Sequence, residues 1–273
     1  MTATEVRRPA VAGRFYPSEP VILRRDVAAY LSQESPRKSV RALGCIAPHA
    51  GYIYSGQVAG SVFARLEVPQ LCILLCPNHT GLGRPLALVS QGSWETPLSS
   101  VPIDRDFAVA LQRRFPLLEE DPTAHRQEHA IEVELPFLQI RQPELTFVPI
   151  ALGTRNFEVL AQLGSALADV AAAQPQPILI VASSDMNHYE SDEITRVKDE
   201  SAMQAILALD ARALFDVVTL QSVSMCGFGP AISMLTAARQ LGATSAEVVR
   251  YATSGDVSGE RKRVVGYAGI IVS

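Results

Sequence analysis

Three histidines each follow an apolar run of strand length, and no other residues in this sequence point so directly to chemistry. The runs and their histidines are 42–46 with His49, 71–76 with His79, and 177–182 with His188. The carboxyl ends of strands in an open α/β sheet face one crevice, so we expect the three imidazoles to meet there. Imidazoles that converge form a metal site or a proton-transfer site.

Cys226 and Asp185 are the side chains that would complete such a site. Cys226 stands before a Gly-Phe-Gly-Pro turn that we expect to open a helix, and a helix N-terminus favours the thiolate, which is a metal ligand or a nucleophile. The alternative for Cys226 is a small buried residue. Asp185 lies three residues before His188, and we expect its carboxylate to orient that imidazole.

Other polar residues have simpler interpretations. Glu128 and His129 could add a ligand or a base, but a solvated helix face is the interpretation we favour for their acid-rich segment, 121–141. His125 is the histidine least expected in the site, and Asp256 is interpreted as a loop or pocket-rim acid. Ser183 and Ser184 do not indicate a serine hydrolase, because the sequence contains no Gly-x-Ser-x-Gly elbow.

The elements that must position these residues alternate between strand and helix along the chain. This alternation predicts one α/β domain over residues 1–273, with a mixed, mostly parallel central sheet flanked by helices. The last two strands, around 247–252 and 264–272, are the pair expected to be antiparallel. Asp104 and Asn156 are predicted helix caps, whereas the segment around Trp94 is predicted to be irregular.

The composition excludes several classes of function. The chain has 273 residues, 48% hydrophobic content, a formal net charge of -4 and no basic run, which argues against binding to nucleic acid or to an anionic membrane. Its first residues lack a long apolar segment, so we expect no signal peptide or membrane span and a cytoplasmic protein. Cys45, Cys72 and Cys76 are expected as reduced core thiols. Small molecules, proteins or peptides are the expected partners.

Several motifs, in order along nearly the whole chain, resemble those of the Memo family (mediator of cell motility), in a prokaryotic-type member. They run from Pro-Ala-Val-Ala-Gly at 9–13 to Val-Gly-Tyr-Ala at 265–268. Those between are Pro-His-Ala-Gly-Tyr-Ile-Tyr-Ser-Gly at 48–56, Pro-Asn-His at 77–79, Trp-Glu-Thr-Pro-Leu at 94–98, Glu-His at 128–129, Leu-Pro-Phe-Leu at 135–138, Ser-Ser-Asp at 183–185 with His-Tyr at 188–189, and Cys-Gly at 226–227.

The resemblance implies a fold similar to that of the class III extradiol dioxygenases, whose non-haem Fe(II) is held by two histidines and a glutamate. By resemblance, His49 and His79 match the two histidine ligands, and Cys226 takes the position of the glutamate. His188 matches the acid-base histidine, with Asp185 beside it. A thiolate is softer than a carboxylate and shifts the preference toward copper or zinc, whereas two imidazoles still suit iron. Fe(II) is the expected metal, and copper and zinc are the alternatives.

The resemblance also implies what the protein does and what it works with. Memo proteins are described as metal-binding and redox-active, and animal members as binders of phosphotyrosine peptides. Prokaryotic relatives commonly accompany a radical-SAM protein, which predicts a functional link of that kind here.

Three functional hypotheses follow. In the first, the protein is a metal-dependent oxidoreductase related to the dioxygenases, in which His188, oriented by Asp185, moves protons. The second is a non-catalytic module whose crevice binds a peptide or small ligand, although no arginine-rich patch stands out near these loops. The third is a zinc-dependent hydrolase, because such ligands also activate water. Ring cleavage does not follow from the fold alone.

Overall fold

The computed structural model describes residues 6–32 and 39–273, and in these ranges strands and helices alternate over most of the chain, as predicted. The strands are β1 (Val6–Arg7), β2 (Gly44–Ala47), β3 (Leu71–Pro77), β4 (Leu86–Leu88), β5 (Ser93–Glu95), β6 (Ser100–Pro102), β7 (Glu119–Glu120), β8 (Thr146–Leu152), β9 (Ile178–Ser183), β10 (His188–Glu190), β11 (Ala246–Thr253) and β12 (Val264–Val272). The helices are α1 (Pro20–Ser32), α2 (Tyr52–Arg65), α3 (Arg105–Arg114), α4 (Ala130–Arg141), α5 (Phe157–Ala172), α6 (Asp192–Leu207), α7 (Ala211–Leu220), α8 (Phe228–Gln240) and α9 (Gly255–Ser258).

A mixed sheet forms the centre of the molecule. Among the described residues it contains nine strands, in the order β10-β12-β2-β9-β3-β8-β4-β7, with β11 added beside β12. The four central strands β2, β9, β3 and β8 are parallel neighbours. β12 pairs antiparallel with β2, β10 and β11. The predicted mixed sheet is therefore confirmed, as is the antiparallel final pair. The sheet is parallel at its centre but not for the most part, because four of its eight pairings among the described residues are antiparallel.

Helices cover both faces of this sheet, which explains why its central strands are continuous apolar runs. Alternate residues of β3 enter two different cores because successive side chains of a strand point to opposite faces. Ile73 and Leu75 pack in the core that includes residues of α3, α5 and α8. Cys72 and Leu74 pack in the core that includes residues of α2 and α4.

Two helix starts follow the predicted chemistry. The side chain of Asp104 accepts a hydrogen bond from the amide of Phe107 at the start of α3. Asn156 does the same for Val159 at the start of α5. Each cap pairs one of the backbone N–H groups that a helix N-terminus leaves without an internal partner.

The prediction of an irregular segment around Trp94 is wrong. Residues 93–95 form β5, which pairs in parallel with β1 and antiparallel with β6 in a small separate sheet. The pairing partner is the N-terminal strand, which is distant along the chain and too short to show a periodic pattern. This small sheet brings the N-terminal residues against the segment that precedes α4.

Within the described ranges, every helix falls short of the length and apolar character needed to cross a membrane.

Candidate metal centre

Three imidazoles meet beyond the carboxyl ends of β2 and β3. His49 and His79 each lie two residues past the end of their strand, and His129 directly precedes α4. One ligand atom from each ring lies within 4.8 Å of those of the other two. His49 is buried, whereas the side chains of His79 and His129 are 32% and 21% exposed, so the cluster opens to solvent on their side. The predicted convergence of His49 and His79 is present, and the third imidazole is His129.

The rings of His49 and His79 are held from behind by buried oxygens. Nδ1 of His49 lies 2.8 Å from Oγ of Ser183, and Nδ1 of His79 lies 2.9 Å from Oε1 of Glu128. An Nδ1–H that donates to such an oxygen leaves the Nε2 lone pair as the free ligand atom. Both rings are therefore oriented as metal-ligating histidines are.

Glu128 is the carboxylate that organises this side of the cluster. Its Oε2 accepts the backbone N–H of His79 at 2.6 Å, and its Oε1 accepts the backbone N–H groups of His129 and Ala130 at 2.9 and 3.1 Å. Burial alone would raise the pKa of Glu128, but its hydrogen bond and charge interaction with His79 outweigh burial and lower it. Burial alone would lower the pKa of His79, but the hydrogen bond and charge of Glu128 outweigh burial, so the pKa is raised. The carboxylate thus stays ionised behind a ligand imidazole.

The expectation that the acids around α4 form a solvated face is wrong. Glu128, Glu132 and Glu134 are each 0% exposed. Arg7, from β1, forms a 2.8 Å ion pair with Glu132 and donates to the carbonyl of Glu128 at 2.6 Å. The i, i+4 spacing of acids is correct, but their burial depends on a cation from the far end of the chain.

A buried relay continues behind His49. Oγ of Ser183 lies 3.0 Å from Oε1 of Glu134. Oε2 of Glu134 has no hydrogen-bond partner among the described residues. Burial raises the pKa of Glu134 well above its ordinary value. The carboxyl of Glu134 is therefore kept neutral two side chains away from the cluster.

Cys226 reaches the edge of the cluster. Its Sγ lies 3.3 Å from Nε2 of His49, but it is not one of the three residues whose ligand atoms are all mutually close. Gly227 allows this approach, because a Cβ there would collide with the carbonyl of Ser183 and the side chain of Ser184 at the end of β9. Whether Cys226 ligates a metal stays a prediction.

Two effects oppose the thiolate that the helix N-terminus was expected to favour at Cys226. Helix α8 begins at Phe228, two residues after Cys226. Burial, and then the neighbouring charge of Asp185, raise the pKa of Cys226. Both favour the protonated thiol in the metal-free protein, and a metal ion bound there would displace the proton.

Asp185 does not orient His188, which corrects the sequence-based expectation. Its Oδ1 accepts the backbone N–H of His49 at 2.9 Å, and burial raises the pKa of Asp185 to about 7. The carboxyl group lies at the end of β9 beside the end of the parallel strand β2, so it fixes the loop that carries His49.

His188 begins β10 and has a different partner. Its Nδ1 lies 2.9 Å from the carbonyl of Ser224, and its backbone N–H donates to Oγ of Ser224 at 2.7 Å. A carbonyl only accepts, so Nδ1 carries the proton and Nε2 is free. The charge of His188 contributes, after burial and the charges of His79 and His129, to lowering the pKa of His49. His188 therefore belongs to the same crevice, and its acid-base role stays a prediction.

Sequence reasoning names His129 as a possible ligand but favours a solvated helix face for its segment, and it misses the contact of Ser183 with His49. The adjacent pair Glu128 and His129 at the start of an apolar helix was a usable signal, because such a carboxylate can cap the helix and hold an imidazole at once. Nothing in the pattern around Ser183 indicated its contact.

The remaining predicted side chains lie outside the cluster. His125 is buried, with Nε2 3.3 Å from the carbonyl of Ala87. Asp256 lies in α9 and pairs with Arg196 and Arg261. The expected core cysteines are all buried as free thiols, namely Cys45, Cys72 and Cys76.

The chain is similar to known proteins in sequence and in fold. Residues 7–271 match the model of a family described as Memo-like protein. A MEMO1 family protein of Methanopyrus kandleri is 40% identical over 277 residues, covering 97% of this chain and 98% of the relative. One from Methanothermobacter thermautotrophicus is 39% identical over 273 residues, covering 96% and 99%. The crystal structure of an uncharacterized protein from Escherichia coli K12 has a TM-score of 0.50, at 11% identity, over 85% of this chain and 100% of that chain, which concerns the fold alone.

Proposed function

This chain belongs to the Memo family, and we propose that it is a metal-dependent oxidoreductase that binds Fe(II) through His49, His79 and a third ligand beside them. The observation that carries the proposal is the placement of three histidine ligand atoms within 4.8 Å of one another. A bound iron ion would supply redox chemistry and open coordination positions for a substrate.

The donor set supports a transition metal over a hard cation. Imidazole nitrogens suit iron, copper and zinc, whereas magnesium and calcium prefer oxygen ligands. Two of the three rings already have Nδ1 beside a buried oxygen, so little side-chain freedom is lost when an ion binds. The third ligand is Cys226, 3.3 Å from Nε2 of His49, or His129. A thiolate as third ligand would favour copper or zinc, whereas a third imidazole would suit iron.

The residues around the ligands have separable roles. His188, with Nδ1 held by the carbonyl of Ser224 and Nε2 free, is the residue we propose to move protons in the crevice. Asp185 fixes the backbone of His49, so we propose for it a positioning role.

Metal analysis of protein purified without oxygen tests the proposal. We expect His49→Ala and His79→Ala to lose bound iron at least about 100-fold in affinity. His125→Gln is the matched histidine control and is expected to retain the metal. Cys226→Ser and His129→Ala identify the third ligand, with Cys76→Ser as the control for a buried thiol. Unchanged metal content in both His49→Ala and Cys226→Ser would overturn the proposal.

A zinc-dependent hydrolase is the second candidate, and one observation favours it. Three imidazoles with one side open to solvent are a ligand set used by catalytic zinc sites, where the open position activates water. Tightly bound zinc, no change of the metal under reductant, and hydrolysis of an activated ester would favour this candidate. Iron that cycles between two oxidation states would favour the first.

Binding of a peptide and a functional link to a radical-SAM protein stay predictions. A titration with a phosphotyrosine peptide, with and without chelator, tests the first, because binding that ignores the chelator would favour a non-catalytic module.

A further inference from the structure

A second concave site lies beside the histidine cluster without sharing any of its three histidines. It is a cavity of about 690 Å³ between the N-terminal residues, the small sheet and the segment before α4. This volume falls within the range of about 300–1,000 Å³ that is usual for small-molecule sites.

Four arginines line the cavity: Arg7, Arg8, Arg14 and Arg126. Among the described residues that line it there is no aspartate or glutamate, although the whole chain has a formal net charge of -4. The cavity therefore concentrates positive charge in an acidic protein. A concave wall of one charge attracts ligands of the opposite sign more strongly than a flat surface does.

Three of these arginines have no acidic partner in the described ranges. Arg8, Arg14 and Arg126 are exposed, and none forms a salt bridge with a carboxylate in the described part of the chain. Arg7 differs, because it pairs with Glu132 and forms the inner wall. Its guanidinium lies 4.1 Å from the ring centre of Trp94. The free guanidinium groups match the geometry of phosphate and carboxylate oxygens.

Two buried rings stand behind the inner wall. Trp94 and His125 are each 1% exposed and border the cavity. Nε2 of His125 lies 3.3 Å from the carbonyl of Ala87, so Nε2 carries the proton. These rings form a fixed support for Arg7, because its guanidinium lies over the ring of Trp94.

We propose that this cavity binds a small organic polyanion, a molecule with two or more phosphate or carboxylate groups. The anionic groups contact Arg8, Arg14 and Arg126, and the carbon skeleton lies against the inner wall, where Arg7 covers the ring of Trp94. A metal ion is excluded as the occupant by the positive charge. The site is independent of the proposed metal site, so each can fail without the other.

Trp94 gives a direct readout, because it is the only tryptophan in the chain and lines the cavity. Its fluorescence is titrated with pyrophosphate and with citrate, which do not absorb near its emission, and binding of ATP is measured by calorimetry. We expect at least one probe to saturate and its affinity to fall as salt is raised. Pyrophosphate or ATP alone would identify phosphate as the recognised group, and citrate alone would identify carboxylate.

Charge-matched variants locate the binding. We expect the triple variant Arg8→Gln, Arg14→Gln, Arg126→Gln to weaken binding at least 100-fold, and Arg126→Gln alone to weaken it about tenfold. The control carries the same charge change at exposed arginines outside the cavity, Arg24→Gln, Arg105→Gln and Arg113→Gln, and should bind within twofold of wild type. Absence of saturation with all three probes, or equal affinities of the two triple variants, would overturn the proposal.

Discussion

The histidine cluster and the arginine cavity lie on either side of the segment that leads into α4, yet they hold their functional groups in opposite ways. In the cluster, Nδ1 of His49 and of His79 lies 2.8 and 2.9 Å from a buried oxygen. In the cavity, three of the four guanidinium groups form no salt bridge with any described carboxylate.

The difference matches the ligands that we propose. A metal ion needs a few donor atoms at fixed directions, so the cost of ordering them is best met during folding. A polyanion tolerates several arrangements of cations, so flexible arginines can adapt to it, and their attraction weakens with salt. Fixed donors thus indicate selectivity for one kind of ion, and free cations indicate recognition of charge.

The largest effect is expected at the buried ion pair of Arg7, which lines the cavity and also donates to the carbonyl of Glu128. Glu132 is fully buried, pairs with Arg7 at 2.8 Å, and accepts two backbone N–H groups and a tyrosine hydroxyl. Glu132→Gln leaves the charge of Arg7 without a counter-charge, so we expect the free energy of unfolding to fall by about 3–5 kcal/mol. Urea denaturation measures it.

The matched control for this prediction is an exposed pair. The side chains of Glu158 and Arg212 are 69% and 51% exposed, and Glu158→Gln should cost less than about 1 kcal/mol. Equal losses of unfolding free energy in Glu132→Gln and Glu158→Gln would show that the buried pair contributes no more than the exposed pair.

On the histidine side, the stabilising contribution of Asp185 is expected to be lost as pH rises. Burial raises the pKa of Asp185 from 3.8 to about 7, so its contribution is present at pH 4 and lost as pH rises through 7. A shift of about three pKa units corresponds to about 4 kcal/mol. In metal-free protein, Asp185→Asn should remove this slope from the unfolding free energy measured between pH 4 and 8. Parallel curves for variant and wild type would show that the carboxyl is ionised throughout.

The cavity side is expected to show the opposite sign. Burial lowers the pKa of His125 from 6.5 to about 4, so the folded state binds fewer protons than the unfolded state in this window. Its contribution is present above pH 6.5 and is lost as pH falls through 4, by about 3 kcal/mol. His125→Gln should lose less stability than wild type between pH 7 and 4 in urea melts. A steeper loss of unfolding free energy in His125→Gln would show that His125 and Asp185 do not respond to pH with opposite signs.

The smallest effect separates the two sites functionally. Glu128→Gln removes the charge behind His79, and we expect metal affinity to fall about 10–100-fold, measured by competition with a chelator. Pyrophosphate binding in the cavity should stay within twofold of wild type. A loss of both affinities would show that the sites are one cooperative unit.

Much of the fold was accessible from the sequence because local patterns determine it. The apolar run at 264–272 is β12 within the bounds predicted, and the runs before His49 and His79 are parallel strands that end at one edge. Strand periodicity and strand-end loops are local properties, and the convergence of His49 and His79 follows from them.

What could not be predicted depends on partners far along the chain. The acids around the start of α4 have the pattern of a solvated face, and Arg7 and His79, brought by other elements, make the burial of Glu132 and Glu128 favourable. The same holds for the arginine cavity, since Arg126 is distant in sequence from the N-terminal arginines. Asp185 accepts a hydrogen bond from the backbone of His49 and does not contact the side chain of His188. The strands that precede Asp185 and His49 are paired neighbours, so their ends lie side by side.

X-ray absorption at the iron edge, on protein loaded with Fe(II) without oxygen, identifies the side chains that hold the metal. We expect at least two imidazoles on the metal, together with a third imidazole or a sulfur at about 2.3 Å. A third imidazole would assign His129, and a sulfur would assign Cys226. A shell of oxygen ligands without imidazole, unchanged in His49→Ala, would contradict the account.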